Sequence, residues 1–177
     1  EYQEAYNEAK FVIDNKALFG YELETDFEDN FKGSIANSLK ETIFAFDFLG
    51  QQNVGGNNDD SLVPMILVLN LTGGYGVSVP SMNVYEEWDD LLIAAEALGE
   101  INGPNEEAAG YLNQVRARAR NWNGVQSDFP ADVAPSMSKS EFIDLVMEDR
   151  RLELAFEWKR WYDIKRRDLG AAVFTGP

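Results

Sequence analysis

The sequence predicts an all-α fold in which helical hairpins carry long loops. Three observations predict it. Apolar residues recur at helical spacing in four separate stretches, within residues 2–13, 88–98, 108–119 and 142–161. "NGP" (Asn102–Pro104) divides the second from the third by the short break of a hairpin. "SKSE" (Ser138–Glu141) stands before the fourth as a capping box, Ser138 at the N-cap and Glu141 three residues on. With 177 residues, 45% of them hydrophobic, the chain suffices for one domain with a sizeable core or two small ones.

The first helix is expected over residues 1–15, where Tyr2, Ala5, Tyr6, Ala9, Val12 and Ile13 share a face and Asn15 ends it. The aromatic and acidic stretch from there to about Asn30 has no period and reads as loop. "SLKETIFAFDF" (Ser38–Phe48) reads as a short extended or buried segment through Ile43, Phe44, Phe46 and Phe48. Gly50–Ser61 and Asn70–Ser81 are Gly- and Asn-rich loops. Trp88, Leu91, Leu92, Ala95 and Leu98 then mark a second helix. Gly103 can adopt the left-handed cap conformation after it, and Pro104 cannot continue it. Asn105 suits the next N-cap, and Glu106 and Glu107 sit where the helix dipole favours acids. Ala108, Leu112, Val115 and Ala119 form that helix's stripe. The small residues Ala94, Ala95, Ala97, Ala108 and Ala109 allow the two antiparallel helices to approach closely.

A loop is expected from Asn121 to Met137, and one long helix after Ser138. That helix carries "EDRRLELAFEWKRWYDIKRRD" (148–168), which is dense in both charge and aromatics. Phe142, Leu145, Val146, Leu152 and Phe156 form one apolar face, and Ile143, Met147, Leu154, Trp158 and Trp161 another, as in a helix packed between neighbours. Between the faces, Arg150 is expected to pair with Glu153 and Glu157 with Arg160, each three residues apart.

Composition narrows the chemistry. The net charge of −16 argues against a nucleic-acid partner, because phosphate binding needs a positive field. The absence of Cys and His removes disulfides, thiolate chemistry, the commonest general base and the commonest transition-metal ligand. No cofactor and no metal is expected. "TDFEDN" and "NNDDS" are rich in oxygen ligands but lack the spacing of a calcium-binding loop. "LVPMILVLNL" (Leu62–Leu71) is too short to span a bilayer and contains Pro64 and Asn70. The chain does not begin with Met, so Glu1 reads as a mature or truncated end. Glu153 and Glu157 are close enough in sequence to serve as a glycosidase carboxylate pair, which needs carboxyls roughly 5–10 Å apart. Structural ion pairing with the neighbouring arginines is the competing reading.

Two segments carry a resemblance. "LLIAAEALGEINGPNEEAAGYLNQVRARA" resembles the helix pair of the SusD/RagB family, outer-membrane nutrient (glycan)-binding lipoproteins. "EDRRLELAFEWKRWYDIKR" resembles the C-terminal signature of the same family, here Glu153–Glu157 followed by Arg160–Ile164. "EYQEAYNEAKFVIDNKALFGYEL", "NSLKETIFAFDF" and "GGYGVSVPSMNVYEEW" match further family blocks more loosely and in the family's order. The resemblance implies a tetratricopeptide-like, SusD-like helical scaffold. The whole of 1–177 would be one incomplete SusD-like domain: a loop-rich part with an N-terminal helix (1–90), then the hairpin and signature helix (91–177). It also implies a fragment or discontinuous record of a longer chain. The family's N-terminal region with its lipid-bearing Cys is absent, and only "NVYEEWDD" stands where a long segment usually precedes the Ala94–Ala97 helix. A break is therefore expected between Tyr85 and Leu91.

The function implied by the resemblance is non-catalytic capture of glycans or oligosaccharides at the outer-membrane cell surface. The captured glycan would pass to a SusC-like TonB-dependent transporter, and a lipid anchor would sit on the missing N-terminus. A protein-binding helical-repeat adaptor is the first alternative, and a carbohydrate-active enzyme using Glu153 and Glu157 the second. Sugars stack their C–H faces on Trp or Tyr and bond planar polar groups through their hydroxyls. Tyr75, Trp88, Trp122 and Asn123 are therefore the expected ligand-binding residues, with packing against a neighbouring helix as the competing reading of each aromatic. Trp158 and Trp161 are assigned to the core.

Overall fold

A computed structural model describes residues 1–25, 40, 42–47, 81–122, 124–155 and 159–175. Most of the loops read at Gly50–Ser61 and Asn70–Ser81, the apolar run Leu62–Leu71 and most of "TDFEDN" lie outside them.

The first helix, α1 (Tyr2–Phe19), is one turn longer than its sequence pattern predicts. Asn15 does not end it, because its side-chain amide bonds back to the Phe11 carbonyl within the helix at 2.8 Å. Gly20 ends it instead. At φ 81° it donates its N–H to the Lys16 carbonyl, a conformation that costs glycine nothing. The extended segment predicted around Ile43 forms as β1 (Thr42–Asp47) and pairs antiparallel with β2 (Ser81–Glu86). The sequence reading had no strand at β2. The pairing slips between Thr42 and Ala45, as at a bulge.

β2 runs straight into α2 (Glu87–Asn102), so the break expected between Tyr85 and Leu91 is not found. The hairpin to α3 (Glu106–Ala119) forms as predicted. Gly103 takes φ 73°, and Asn105 is extended with its side-chain oxygen accepting from Ala108 N at 2.8 Å. A two-stranded ribbon, β3 (Asn121–Trp122) with β4 (Val125–Gln126), begins the following loop, and Gly124 at φ 73° makes its turn. α4 (Lys139–Glu153) opens with the complete capping box: Ser138 Oγ accepts from Glu141 N, and Glu141 Oε2 accepts from Ser138 N at 3.0 Å. α5 (Lys159–Arg166) and α6 (Gly170–Phe174) close the fold.

The core gathers around α2, which packs on α1, α3 and α4. Leu91, Leu92, Ala94, Ala95 and Leu98 meet Ala9 of α1, Ala108, Leu112 and Val115 of α3, and Phe142, Ile143 and Val146 of α4. Removing a side chain such as Phe142 or Leu112 from water contributes roughly 1.5–3 kcal/mol. The close approach depends on small residues: a Cβ placed on Gly99 would stand 2.8 Å from the Phe142 ring.

The single long helix expected after Ser138 is instead two. α4 stops at Glu153, where the Leu154 N–H bonds to the Arg150 carbonyl, and α5 starts at Lys159. In a continuous helix Asp163 would stand about 20 Å along the axis from Arg150. The break lets α5 fold back so that Arg150 Nε donates to Asp163 Oδ2 at 3.1 Å. Phe142, Val146, Ile143, Met147 and Leu154 are buried, as the two apolar faces require, but the faces do not continue to their predicted ends. Leu152 is 57% exposed and Trp161 59%, so the assignment of Trp161 to the core is corrected. Phe156, Glu157 and Trp158 lie outside the described residues.

Candidate ligand-binding site

Several charged residues of the 148–168 stretch are ion-paired, but the expected Arg150–Glu153 pair does not form, and Glu157, the expected partner of Arg160, lies outside the described residues. Arg150 pairs with Asp163 rather than Glu153, and Glu153 pairs with Arg118 of α3. Asp149 takes a two-pronged bond from Arg116, Nε at 2.6 Å and Nη2 at 3.0 Å. Asp163 also accepts from Arg166, and Arg166 Nη2 bonds the buried Glu96 of α2 at 2.6 Å. Asp89, in the first turn of α2, pairs with Lys159. Together these bonds form a belt tying α2, α3, α4 and α5. Buried charges survive only where each finds a counter-ion and hydrogen bonds, and here neighbouring helices supply them. The Arg166 guanidinium is destabilised by burial, yet the bonds it donates to Glu96 and Asp163 outweigh this and hold it charged.

Glu153 is thus a buried, committed carboxylate rather than an acid open to a cleft. Its supposed catalytic partner Glu157 lies outside the described residues.

Two shallow clefts flank α4. One, of about 360 Å³, is lined by Glu100, Lys139, Ser140, Ile143, Asp144 and Arg167. Its charges are internally matched: Glu100 accepts from Arg167 at 2.6 Å and pairs with Lys139 at 2.8 Å. Burial pushes the Glu100 pKa up, but those two hydrogen bonds outweigh it and hold it below the ordinary value. The other cleft, of about 450 Å³, is lined by Met137, Glu141, Asp144 and Leu145.

None of the residues lining either cleft is a predicted ligand residue. Tyr75 and Asn123 lie outside the described residues. The Trp88 backbone sits in the first turn of α2, beside Asp89 and its Lys159 partner. The Trp122 backbone pairs with Val125 in the β3–β4 ribbon, which leads into the loop between α3 and α4. That loop is far from loose. Asn113 and Val133 exchange two hydrogen bonds, at 2.7 and 3.1 Å. Arg116 bonds the Ala131 carbonyl and Arg120 the Pro130 carbonyl, each at 2.8 Å. At its tip Phe129 is 81% exposed, a residue that periodicity alone did not nominate. The available signal was the α3 spacing of Asn113, Arg116 and Arg120, which places three long polar side chains on the side the loop crosses. Among the described residues no helix is long and apolar enough to cross a membrane, and no group of three or more acidic side chains is gathered to hold a metal ion.

Residues 89–175 match the SusD family. The whole chain aligns with SusD-like protein P2 of Formosa agariphila at 31% identity over 256 residues, 49% of that protein. This chain has 177 residues, so part of the relative within that span has no counterpart here. Half of the chain is 39% identical to SusD-like protein P38 of the same organism over 89 residues, 17% of that protein. Among solved structures, Surface glycan-binding protein A from Bacteroides thetaiotaomicron shares the fold with a TM-score of 0.58 at 17% identity, over 99% of this chain and 53% of that one. The same protein in complex with laminarihexaose gives 0.57 at 16%, over 97% and 53%. The chain spans about half the length of the relatives it matches end to end.

Proposed function

Because the chain belongs to the SusD/RagB family, we propose that it captures glycans without cleaving them, as the surface component of a nutrient-uptake system. The observation that carries the reading is the alignment of the entire chain with a SusD-like protein at 31% identity. Two further features support it. Surface glycan-binding protein A, which shares the fold, has been solved with laminarihexaose bound. The described carboxylates of the 148–168 stretch are also largely committed to arginines: Asp149, Glu153 and Asp163 each hold a cation. A glycosidase needs one carboxyl free to donate a proton and a second beside the scissile bond, and these three are occupied with holding helices together.

In the wider proposal the full-length protein works at the outer membrane through a lipid anchor on a segment preceding this one. It hands its glycan to a SusC-like TonB-dependent transporter. Trp88, Trp122, Asn123 and Tyr75 remain the proposed glycan contacts, since each is an aromatic or amide of the kind sugars use. The test is to incubate the protein with polysaccharides and measure both retention and reducing-end release. Retention without sustained release is expected. Release at enzyme-like rates, or retention of no polysaccharide at all, overturns the reading.

A further inference from the structure

We propose that the loop between α3 and α4 is itself a contact element for neutral oligosaccharides, with the Phe129 ring as its stacking face. This rests on the glycan-capture reading above. Phe129 is 81% exposed, and Val125, on the ribbon that leads to it, is 67% exposed. Single exposed apolar side chains are common on protein surfaces, so what sets Phe129 apart is the way its backbone is held.

This backbone is fixed at both ends of the ring. Ser127 Oγ accepts from Phe129 N at 3.0 Å and donates to Phe129 O at 3.1 Å. Ser127 N in turn donates to the Arg120 carbonyl at the end of α3, at 2.8 Å. Beyond the ring, Arg120, Arg116 and Asn113 hold the carbonyls of Pro130, Ala131 and Val133, and Arg120 also pairs with Asp132 at 2.7 Å. A ring presented on a clamped loop loses little conformational freedom when a ligand arrives, so more of the contact energy appears as affinity.

The neighbouring groups select the class of ligand. Gln126, Ser127 and Asp128 are exposed beside the ring and offer an amide, a hydroxyl and a carboxylate to sugar hydroxyls, while the ring offers its face to sugar C–H bonds. Residues 121–138 contain Asp128 and Asp132 but no Lys or Arg. The nearest cations along the chain, Arg120 and Lys139, are bonded to Asp132 and Glu100. A uronate or sulfated sugar would meet like charge there with no available counter-ion, within a chain of net charge −16. A neutral sugar meets no such penalty.

The experiment is affinity electrophoresis of the 177-residue chain through neutral β-glucan, xylan and mannan, and through the polyuronate pectate. The wild type should be retarded by at least one neutral polymer and not by pectate. Phe129→Ala should bind that polymer about tenfold more weakly, the loss of one aromatic stack, with unchanged thermal melting. Asn113→Ala, which loosens the loop without touching ligand, should also weaken binding. Leu152→Ala, which removes an exposed side chain on α4, should not. Wild-type affinity in Phe129→Ala, or a preference for pectate, overturns the loop's role while leaving glycan capture intact. A wild type retarded by none of the four polymers overturns the glycan-capture reading, and this inference with it.

Discussion

The belt joining α2, α3, α4 and α5 and the seam joining α1 to α3 use similar chemistry in different surroundings. In the seam, Tyr6 of α1 and Tyr111 of α3 both donate to Glu107 Oε1 at 2.8 Å, and Lys10 stands 3.4 Å from the same oxygen. The Lys10 and Glu107 side chains are 37% and 46% exposed, whereas Arg118 and Glu153 in the belt are 3% and 8% exposed. Water can replace a lost partner in the seam but not in the belt. The same deletion therefore leaves a solvated ion in one place and a buried charge short of its carboxylate in the other. The comparison shows that the energetic weight of a charge pair here is set by what surrounds it.

The sharpest way to break that comparison is Glu153→Ala. It removes the carboxylate that Arg118 holds in the interior, with an expected loss of about 3–5 kcal/mol in urea unfolding at neutral pH. Replacing both partners with apolar residues, Arg118→Met with Glu153→Leu, should recover most of that loss. A single-mutant loss below about 1 kcal/mol, the exposed-pair range, would mean the belt behaves like the seam.

Next in size is Gly99→Ala, where the new methyl meets the Phe142 ring at 2.8 Å. Overpacking of this kind should cost about 1–3 kcal/mol. Phe142→Leu on the same background should return part of it. If the alanine variant is as stable as the wild type, the α2–α4 contact is looser than the belt requires.

Asn105→Ala removes the oxygen that accepts from Ala108 N and should lower stability by about 1 kcal/mol, read as a lower melting temperature. Asn105→Gly should cost only a few tenths of that unit. Equal losses in the two variants would assign the effect to backbone conformation rather than to the cap.

The smallest expected effect is in the seam and depends on pH. Hydrogen bonds from Tyr6 and Tyr111 hold the Glu107 carboxyl below its ordinary value of 4.5. The same partnership, after burial, raises the Tyr111 hydroxyl. Because the folded Glu107 pKa lies below the unfolded one, its contribution is complete above the unfolded value and is lost as pH falls through the folded value. The stability difference between wild type and Glu107→Gln should therefore shrink between pH 7 and about pH 3. A difference that stays constant over that interval would show that the charge on Glu107 does not support the α1–α3 contact.

Much of this is legible in the sequence. The hairpin was written in Gly103, Pro104 and Asn105, and the start of α4 in Ser138 and Glu141, because caps are satisfied by residues three or four positions away. The extended segment at Ile43 was legible too, but its partner β2 was not, since a strand is defined by what it pairs with. The site was harder. Trp122 is an aromatic of the kind that sugars stack on, but nothing within a few residues of Phe129 distinguishes a buried Phe from one held out on a clamped loop.

The sequence by itself determined the α-helical class, the caps, the closeness allowed by Ala94, Ala95 and Ala108, the lack of His and Cys chemistry and the resemblance to a family. All of these depend on residue type and on spacings within a few turns. The tertiary structure decided which carboxylate each arginine holds, where the last long helix breaks, and that Trp161 faces water. Arg118 and Glu153 are 35 positions apart, as far in sequence as strangers, and meet only when α3 and α4 pack. A buried charge takes whichever counter-ion folding brings within reach, and distance along the chain does not report distance in space.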